Sequence, residues 1–228
     1  MFYKNLQHWF GSFQAFGGTG KPNPGGAGTI YLKDDIPHIK NTTLIIDNNN
    51  QALTNNLLMN YSTASSHSWL LSNDTPYWDI IHVTRQAHFA IHPNLTRPFH
   101  LKAYKFVSDK TGVLHIGNNQ VVIVQHPDDL EFFLNINVYE GGTLILPKYF
   151  SCYGVQINIW GRIGLKNIYV GQKCSLKFGL NGTSLSANKN GVYSLETLTI
   201  GAEGEVTVTD ELKNDQSRLN LEVSNFLL

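Results

Sequence analysis

Two histidines, His88 and His92, stand in a His-x3-His pattern within His88-Phe-Ala-Ile-His92. On a helix this spacing places two imidazoles on one face, as a zinc site requires. The surrounding residues instead predict a strand, on which the two rings share a face but lie about 13 Å apart. No His-Glu-x-x-His motif, which would add a carboxylate, accompanies them, so we predict no metal site and no cofactor.

The acidic pair Asp128–Asp129 follows Pro127 and precedes Leu130. Clustered acids can cleave acidic polysaccharides, but a proline followed by two acids is more typical of a turn. The chain has no Gly-x-Ser-x-Gly nucleophile elbow. The sequence therefore predicts no catalytic residue, and Trp69, Trp78 and Trp160 remain candidates only for stacking on sugars.

Two cysteines, Cys152 and Cys174, lie 22 residues apart. Two thiols alone do not make a structural zinc site. They are either two buried thiols or a disulfide that closes one turn of a stacked structure, and the spacing leaves both readings open.

Five asparagines begin an Asn-x-Ser/Thr triplet without proline, which is the acceptor pattern for N-glycosylation. These candidates are Asn41, Asn60, Asn73, Asn94 and Asn181. They favour an extracellular or cell-surface protein, although the first residues show no secretory signal peptide.

Composition excludes several classes of partner. The 228 residues carry 17 basic and 17 acidic groups, and charged residues form only 15% of the chain. A neutral balance argues against nucleic-acid binding, which normally needs a basic face. No apolar stretch is long enough to predict a membrane span.

The elements that must position these residues are short strands. Apolar or alternating runs such as Gln120–Val124 and Leu134–Val138 recur, separated by Gly, Asn and Asp. Three segments also align, each with an apolar residue, a polar or Gly turn and a strand: Val138–Leu146, Val170–Phe178 and Ile200–Val208. One such corner cannot bury its apolar side alone, whereas stacked corners can. The pattern predicts an all-β, right-handed parallel β-helix or solenoid, with an antiparallel β-sandwich as the alternative.

The segment from Gly11 to Leu32 fits neither a phosphate-binding loop nor a dinucleotide fingerprint. It resembles the corner of large extracellular parallel β-helix proteins, in which a Gly-rich loop joins two strands. The matching residues are Phe13, Ala15, Gly17, Gly18, Gly20, Gly25, Gly26, Gly28 and Ile30. The resemblance implies a surface or matrix protein and carries over no catalytic residue.

We expect a single domain over residues 1–228, with a Gly-rich corner loop at 11–28 and regular repeats at 113–228. Residues 33–112 are either less regular coils or a lateral insertion. The last residues predict a strand that ends on exposed Leu227 and Leu228, so we expect an internal piece of a longer chain.

These features predict a non-catalytic structural or adhesive module of an extracellular matrix, cell-surface or fibre assembly. Its expected partners are further coils of the same protein or other copies of it. A polysaccharide-binding module is the alternative, and a polysaccharide lyase or hydrolase a weaker one.

Overall fold

A computed structural model supplies the structure of the protein, and every described element is a β-strand. The described residues are 2–3, 11–18, 25–34, 42–51, 66–71, 76–93, 97–126, 130, 133–179, 183–184, 192–209 and 220–228. The prediction of an all-β chain is confirmed for this part of the sequence. The strands form three sheets.

The first sheet has nine strands. They are β1 (Phe2–Tyr3), β2 (Thr29–Asp34), β3 (Thr42–Asp47), β5 (Tyr77–Thr84), β7 (Phe99–Ser108), β9 (Gln120–Val124), β11 (Thr143–Ile145), β14 (Arg162–Gly164) and β17 (Thr183–Ser184), in that spatial order.

The second sheet has seven strands. In spatial order they are β4 (His67–Leu70), β6 (His88–Ile91), β8 (Val113–Ile116), β10 (Asn135–Val138), β13 (Gln156–Ile159), β16 (Ser175–Phe178) and β19 (Glu205–Val208). The third sheet contains β12 (Tyr149–Cys152), β15 (Asn167–Val170), β18 (Val192–Ile200) and β20 (Asn220–Leu227).

The sheets are parallel apart from one pair. Among the described strands only β2 and β3 run antiparallel, so an antiparallel sandwich does not describe them. From β4 the chain alternates between the seven- and nine-stranded sheets, and from β12 to β19 it visits the four-, seven- and nine-stranded sheets in a fixed cyclic order. We call one return to the same sheet a circuit.

Apolar side chains stack in register to form the core. Leu114, Ile136, Ile157 and Leu176 are partners on successive strands of the seven-stranded sheet, and all are fully buried. A second column holds Ile116, Val138, Ile159 and Phe178. Each residue covers its equivalent on the next strand, which explains why short strands suffice to exclude water.

A recurrent turn follows several of these strands. Asn119, Gly141, Lys173 and Glu203 each stand three residues after the apolar residue that ends a strand, and all have positive φ, between 56° and 74°. The next residue donates its backbone N–H back across the turn, as Cys174 does to the Gly171 carbonyl at 3.1 Å. Gly141 adopts this left-handed conformation without a Cβ penalty, whereas Asn119, Lys173 and Glu203 adopt it as non-glycine residues.

The register corrects one part of the sequence alignment. Val170 and Ile200 are direct partners on β15 and β18. Val138 belongs to the seven-stranded sheet instead, where its partner is Ile159. The alignment was wrong for Val138 because the same turn occurs at two different corners of a circuit. Circuits span 21 residues from Val138 to Ile159 and 30 from Val170 to Ile200.

The Gly-rich segment is described except for residues 19–24. Its two arms are joined by Gly28 N–H to the Ala15 carbonyl at 2.7 Å and by Gly25 N–H to the Gly18 carbonyl at 3.0 Å. A Cβ on Gly26 would lie 2.6 Å from the Ser66 carbonyl oxygen, so close backbone approach requires glycine there.

Candidate functional site

A cluster of three histidines lies on adjacent strands near one end of the seven-stranded sheet. His67 on β4 and His88 on β6 are register partners, while His115 on β8 pairs with Ala90, two residues further along. Phe89 and Leu114 point into the core. Because side chains alternate along a strand, the three histidines share the opposite face of the sheet.

The imidazoles are in mutual contact. The ring centroids of His67 and His115 are 4.1 Å apart, those of His88 and His115 5.2 Å, and those of His67 and His88 6.1 Å. His88 Nδ1 and His115 Nε2 lie 3.1 Å apart, at hydrogen-bond distance. One candidate ligand nitrogen from each ring falls within 4.8 Å of the other two.

The cluster is shielded from water. The three residues retain 8%, 8% and 5% of their accessible surface. Burial lowers the pKa of His67 to about 4, with a further contribution from nearby His88, and burial lowers the pKa of His88 to about 4. Burial, with the adjacent His67 and His88, also holds the pKa of His115 well below its usual range. All three imidazoles are therefore neutral at pH 7.

Aromatic residues flank the cluster. The Tyr139 hydroxyl lies 3.0 Å from His115 Nδ1, and the Tyr139 ring stacks on the His115 ring at 5.9 Å. Trp160 continues the stack beyond Tyr139 at 5.9 Å. On the other side, Trp69 contacts His67 edge to face at 5.0 Å. Burial raises the pKa of Tyr139 to about 12, so its hydroxyl stays protonated.

The His88-x3-His92 pattern does not form the cluster. His88 belongs to it, but His92 contacts Trp69 instead, at 5.6 Å. The partners of His88 come from neighbouring circuits, 21 residues before it and 27 residues after it. The usable signal would have been an alignment of His67-Ser-Trp-Leu with His88-Phe-Ala-Ile, which places the first two histidines in register.

The two cysteines lie together. The structure joins Cys152 and Cys174 in a disulfide with Cα atoms 5.6 Å apart. Cys152 ends β12, and Cys174 follows the turn after β15, the next strand of the same sheet. The pair therefore links successive circuits, whereas all five N-glycosylation candidates lie outside the described residues, as do Asp128 and Asp129.

A groove follows the outer face of the four-stranded sheet, with a volume of about 440 Å³. Its outward lining is hydroxyl-rich and aromatic: Tyr149, Ser151, Asn167, Tyr169, Thr197 and Thr199. Tyr149 is 67% exposed. We call this surface the tyrosine groove.

The three tryptophans do not form a sugar-stacking platform together. Trp78 is buried against Tyr31 in the nine-stranded sheet. Trp69 packs among the histidines, and Trp160 lies in the turn after β13. Among the described residues, exposed tyrosines lie instead on the four-stranded sheet, as Tyr149 and Tyr169 do, and on the nine-stranded sheet, as Tyr77 and Tyr104 do.

Comparison with known proteins finds no matching family, no matching curated protein and no matching solved structure. Within the described ranges, no helix is long and apolar enough to cross a membrane.

Proposed function

We propose that the chain is a right-handed parallel β-solenoid that serves as a non-catalytic structural or adhesive module of an extracellular matrix, cell-surface or fibre assembly. Parallel pairing and the cyclic order of the three sheets support this architecture. The in-register apolar columns support it further, because each circuit completes the core of the next. The Cys152–Cys174 pair suits an oxidising compartment, where disulfides persist.

The observation that carries the proposal is the strand edge at one end of the sheets. In the described part of the chain, β19 pairs only with β16 and β20 pairs only with β18. Such edges offer backbone N–H and C=O groups to another strand. Phe226 and Leu227 on β20 are 53% and 57% exposed. The edge therefore favours association with a further coil or a second copy.

Sedimentation velocity over a range of protein concentrations tests this association. We expect the mean mass to rise with protein concentration. Phe226→Lys should weaken this self-association at least tenfold, because it places a charge on the strand edge. Tyr104→Lys is the matched control, because Tyr104 is an exposed aromatic on the central strand β7. A chain that stays monomeric throughout, or equal effects of both variants, contradicts the proposal.

The tyrosine groove supports polysaccharide binding as a second function. Exposed tyrosine rings offer apolar faces, and the neighbouring Ser, Thr and Asn side chains offer hydrogen bonds to sugar hydroxyls. The described residues that line this groove include no carboxylate. Cleavage of glycosidic bonds ordinarily uses two carboxylates, so the lining favours binding over hydrolysis.

Affinity electrophoresis in gels containing a neutral β-glucan tests the second function. We expect the polysaccharide to retard the wild type, and Tyr149→Ala to reduce the retardation at least fivefold. Tyr104→Ala, which removes an exposed tyrosine from another sheet, should have no effect. Equal retardation of all three proteins would rule out this groove as the binding surface.

A further inference from the structure

We propose that His67, His88 and His115 bind one divalent ion of the late first transition series, with Zn²⁺ as the reference ion. The site is separate from the strand edge and from the tyrosine groove. The ion would link β4, β6 and β8, which are the three adjacent strands at one end of the seven-stranded sheet.

The spacing of the donor atoms suits one ion. Zinc–nitrogen bonds of about 2.0–2.1 Å place the nitrogens of a tetrahedral site about 3.3 Å apart. His88 Nδ1 and His115 Nε2 are already 3.1 Å apart. The third donor, from His67, lies within 4.8 Å of both, so rotation of the rings would bring all three nitrogens to one ion.

Binding changes the orientation of the rings. The imidazole planes meet at angles of 25° to 35°, so the rings lie closer to stacked than to convergent. A bound ion would turn them until the nitrogen lone pairs meet at one point. It would also replace the hydrogen bond between His88 and His115, since both nitrogens would then be ligands.

The donor set selects the class of ion. Three neutral imidazoles suit Zn²⁺, Cu²⁺, Ni²⁺ and Co²⁺, whereas Ca²⁺ and Mg²⁺ require oxygen ligands. The group contains histidine alone. Burial keeps the imidazoles unprotonated, so protons compete weakly with the metal at pH 7.

A neighbouring tyrosine supplies the outer contact that metal-binding histidines usually have. With Nε2 of His115 directed at the ion, its Nδ1–H would donate to the Tyr139 hydroxyl oxygen, 3.0 Å away. Such a contact fixes the tautomer and the ring orientation. Three protein ligands leave a fourth position for water.

Isothermal titration of EDTA-treated, dialysed full chain with ZnCl₂ at pH 7.5 tests the site. We expect one Zn²⁺ per chain, a higher melting temperature with Zn²⁺, and no binding of Ca²⁺ or Mg²⁺. Co²⁺ should give the visible d–d absorption of a nitrogen-bound ion, and Zn²⁺ should abolish it by competition.

Two substitutions preserve hydrogen bonding while removing a ligand. His88→Asn keeps an amide near the Nδ1 position, and His115→Gln keeps one near Nε2. Each should weaken Zn²⁺ binding at least tenfold, whereas Tyr139→Phe should weaken it about tenfold with the stoichiometry unchanged. His100→Gln, at an exposed histidine of β7, is the matched control and should bind as the wild type does.

Two results would overturn the proposal. One is a wild type that binds no Zn²⁺ at pH 7.5. The other is folded His88→Asn and His115→Gln proteins, judged by circular dichroism, that retain wild-type affinity. If both variants fail to fold, the Co²⁺ spectrum of the wild type decides, since the absence of the nitrogen-bound bands also overturns the site.

Discussion

At the scale of single residues, the three stacked imidazoles make protonation of the cluster costly. Each ring is buried beside two others, so a proton on one ring loses hydration and a second proton meets a like charge. The unfolded chain exposes the same histidines to water, where they protonate near pH 6.5. Acid therefore favours the unfolded state.

This difference predicts a stability loss in mild acid. The pKa values of His67 and His88 fall from 6.5 to about 4 on folding. Their contribution to the free energy of unfolding is therefore complete above pH 6.5 and declines as the pH falls to about 4. By pH 5 the loss is about 2 kcal/mol per group. Urea unfolding at pH 7 and pH 5, with EDTA present, measures it.

The control for this prediction is His88→Asn, which removes one of the titrating groups. The variant should lose about 2 kcal/mol less than the wild type between pH 7 and pH 5. An identical pH dependence in both proteins would show that the pKa of His88 is not lowered in the folded protein.

Sequence alone could not assemble this cluster. His67, His88 and His115 are ordinary members of three short strands, and nothing within any one strand indicates a site. Their proximity depends on the register between circuits of unequal length. The local pattern His88-x3-His92 pairs the wrong histidines, since His88 begins β6 and His92 directly follows the end of that strand.

At the scale of elements, the recurrent turn places non-glycine residues in the left-handed region. Lys173 has φ of 56° and donates its backbone N–H to the Glu203 carbonyl at 3.2 Å in the next circuit. Gly141 occupies the equivalent position in another circuit without a Cβ penalty. The turn thus tolerates Lys173 at a local conformational cost.

Lys173→Gly should therefore stabilise the protein. We expect the free energy of unfolding to rise by about 0.5–1 kcal/mol, because glycine removes the left-handed penalty. Lys177→Gly, within β16, which pairs with a strand on each side, is the control and should lower it by about 1 kcal/mol. Urea denaturation of the two variants gives both values, and destabilisation by Lys173→Gly contradicts the assigned turn.

The sequence predicted polar or Gly turns at these places, but Gly or Asn occupies the left-handed position only at Gly141 and Asn119, whereas Lys173 and Glu203 occupy it in the other two turns. It did not predict which sheet each strand enters. The turn after Val138 leads to β11 in the nine-stranded sheet, whereas the turn after Val170 leads to β16 in the seven-stranded sheet. Similar local geometry at two corners conceals that difference.

At the scale of the whole molecule, the Cys152–Cys174 pair joins successive circuits of the stack. Closing a loop of 22 residues should stabilise the fold by on the order of 3 kcal/mol, in the chain-entropy account. Urea unfolding with and without a phosphine reductant measures this difference in one protein. A Cys152→Ala/Cys174→Ala protein should be insensitive to the reductant, and two free thiols in the untreated native chain would refute the pairing.

The all-β character followed from composition and alternation, since short apolar runs bounded by Gly and Asn predict strands. The three-sheet arrangement did not follow, because the four-stranded sheet begins only at β12. From β4 to β11 the chain alternates between two sheets, and no local change in strand pattern marks the transition to three sheets.

Paired-cysteine crosslinking with peptide mapping tests whether successive circuits stack in parallel register. One outward-facing register pair is available in each sheet: His100 with Val121, Gln156 with Ser175, and Tyr169 with Thr199. Each double-cysteine variant should form its new disulfide under mild oxidation, while the displaced pair Gln156 with Thr207 should not. Crosslinking of the displaced pair, or of none of the three register pairs, would contradict the stacked architecture.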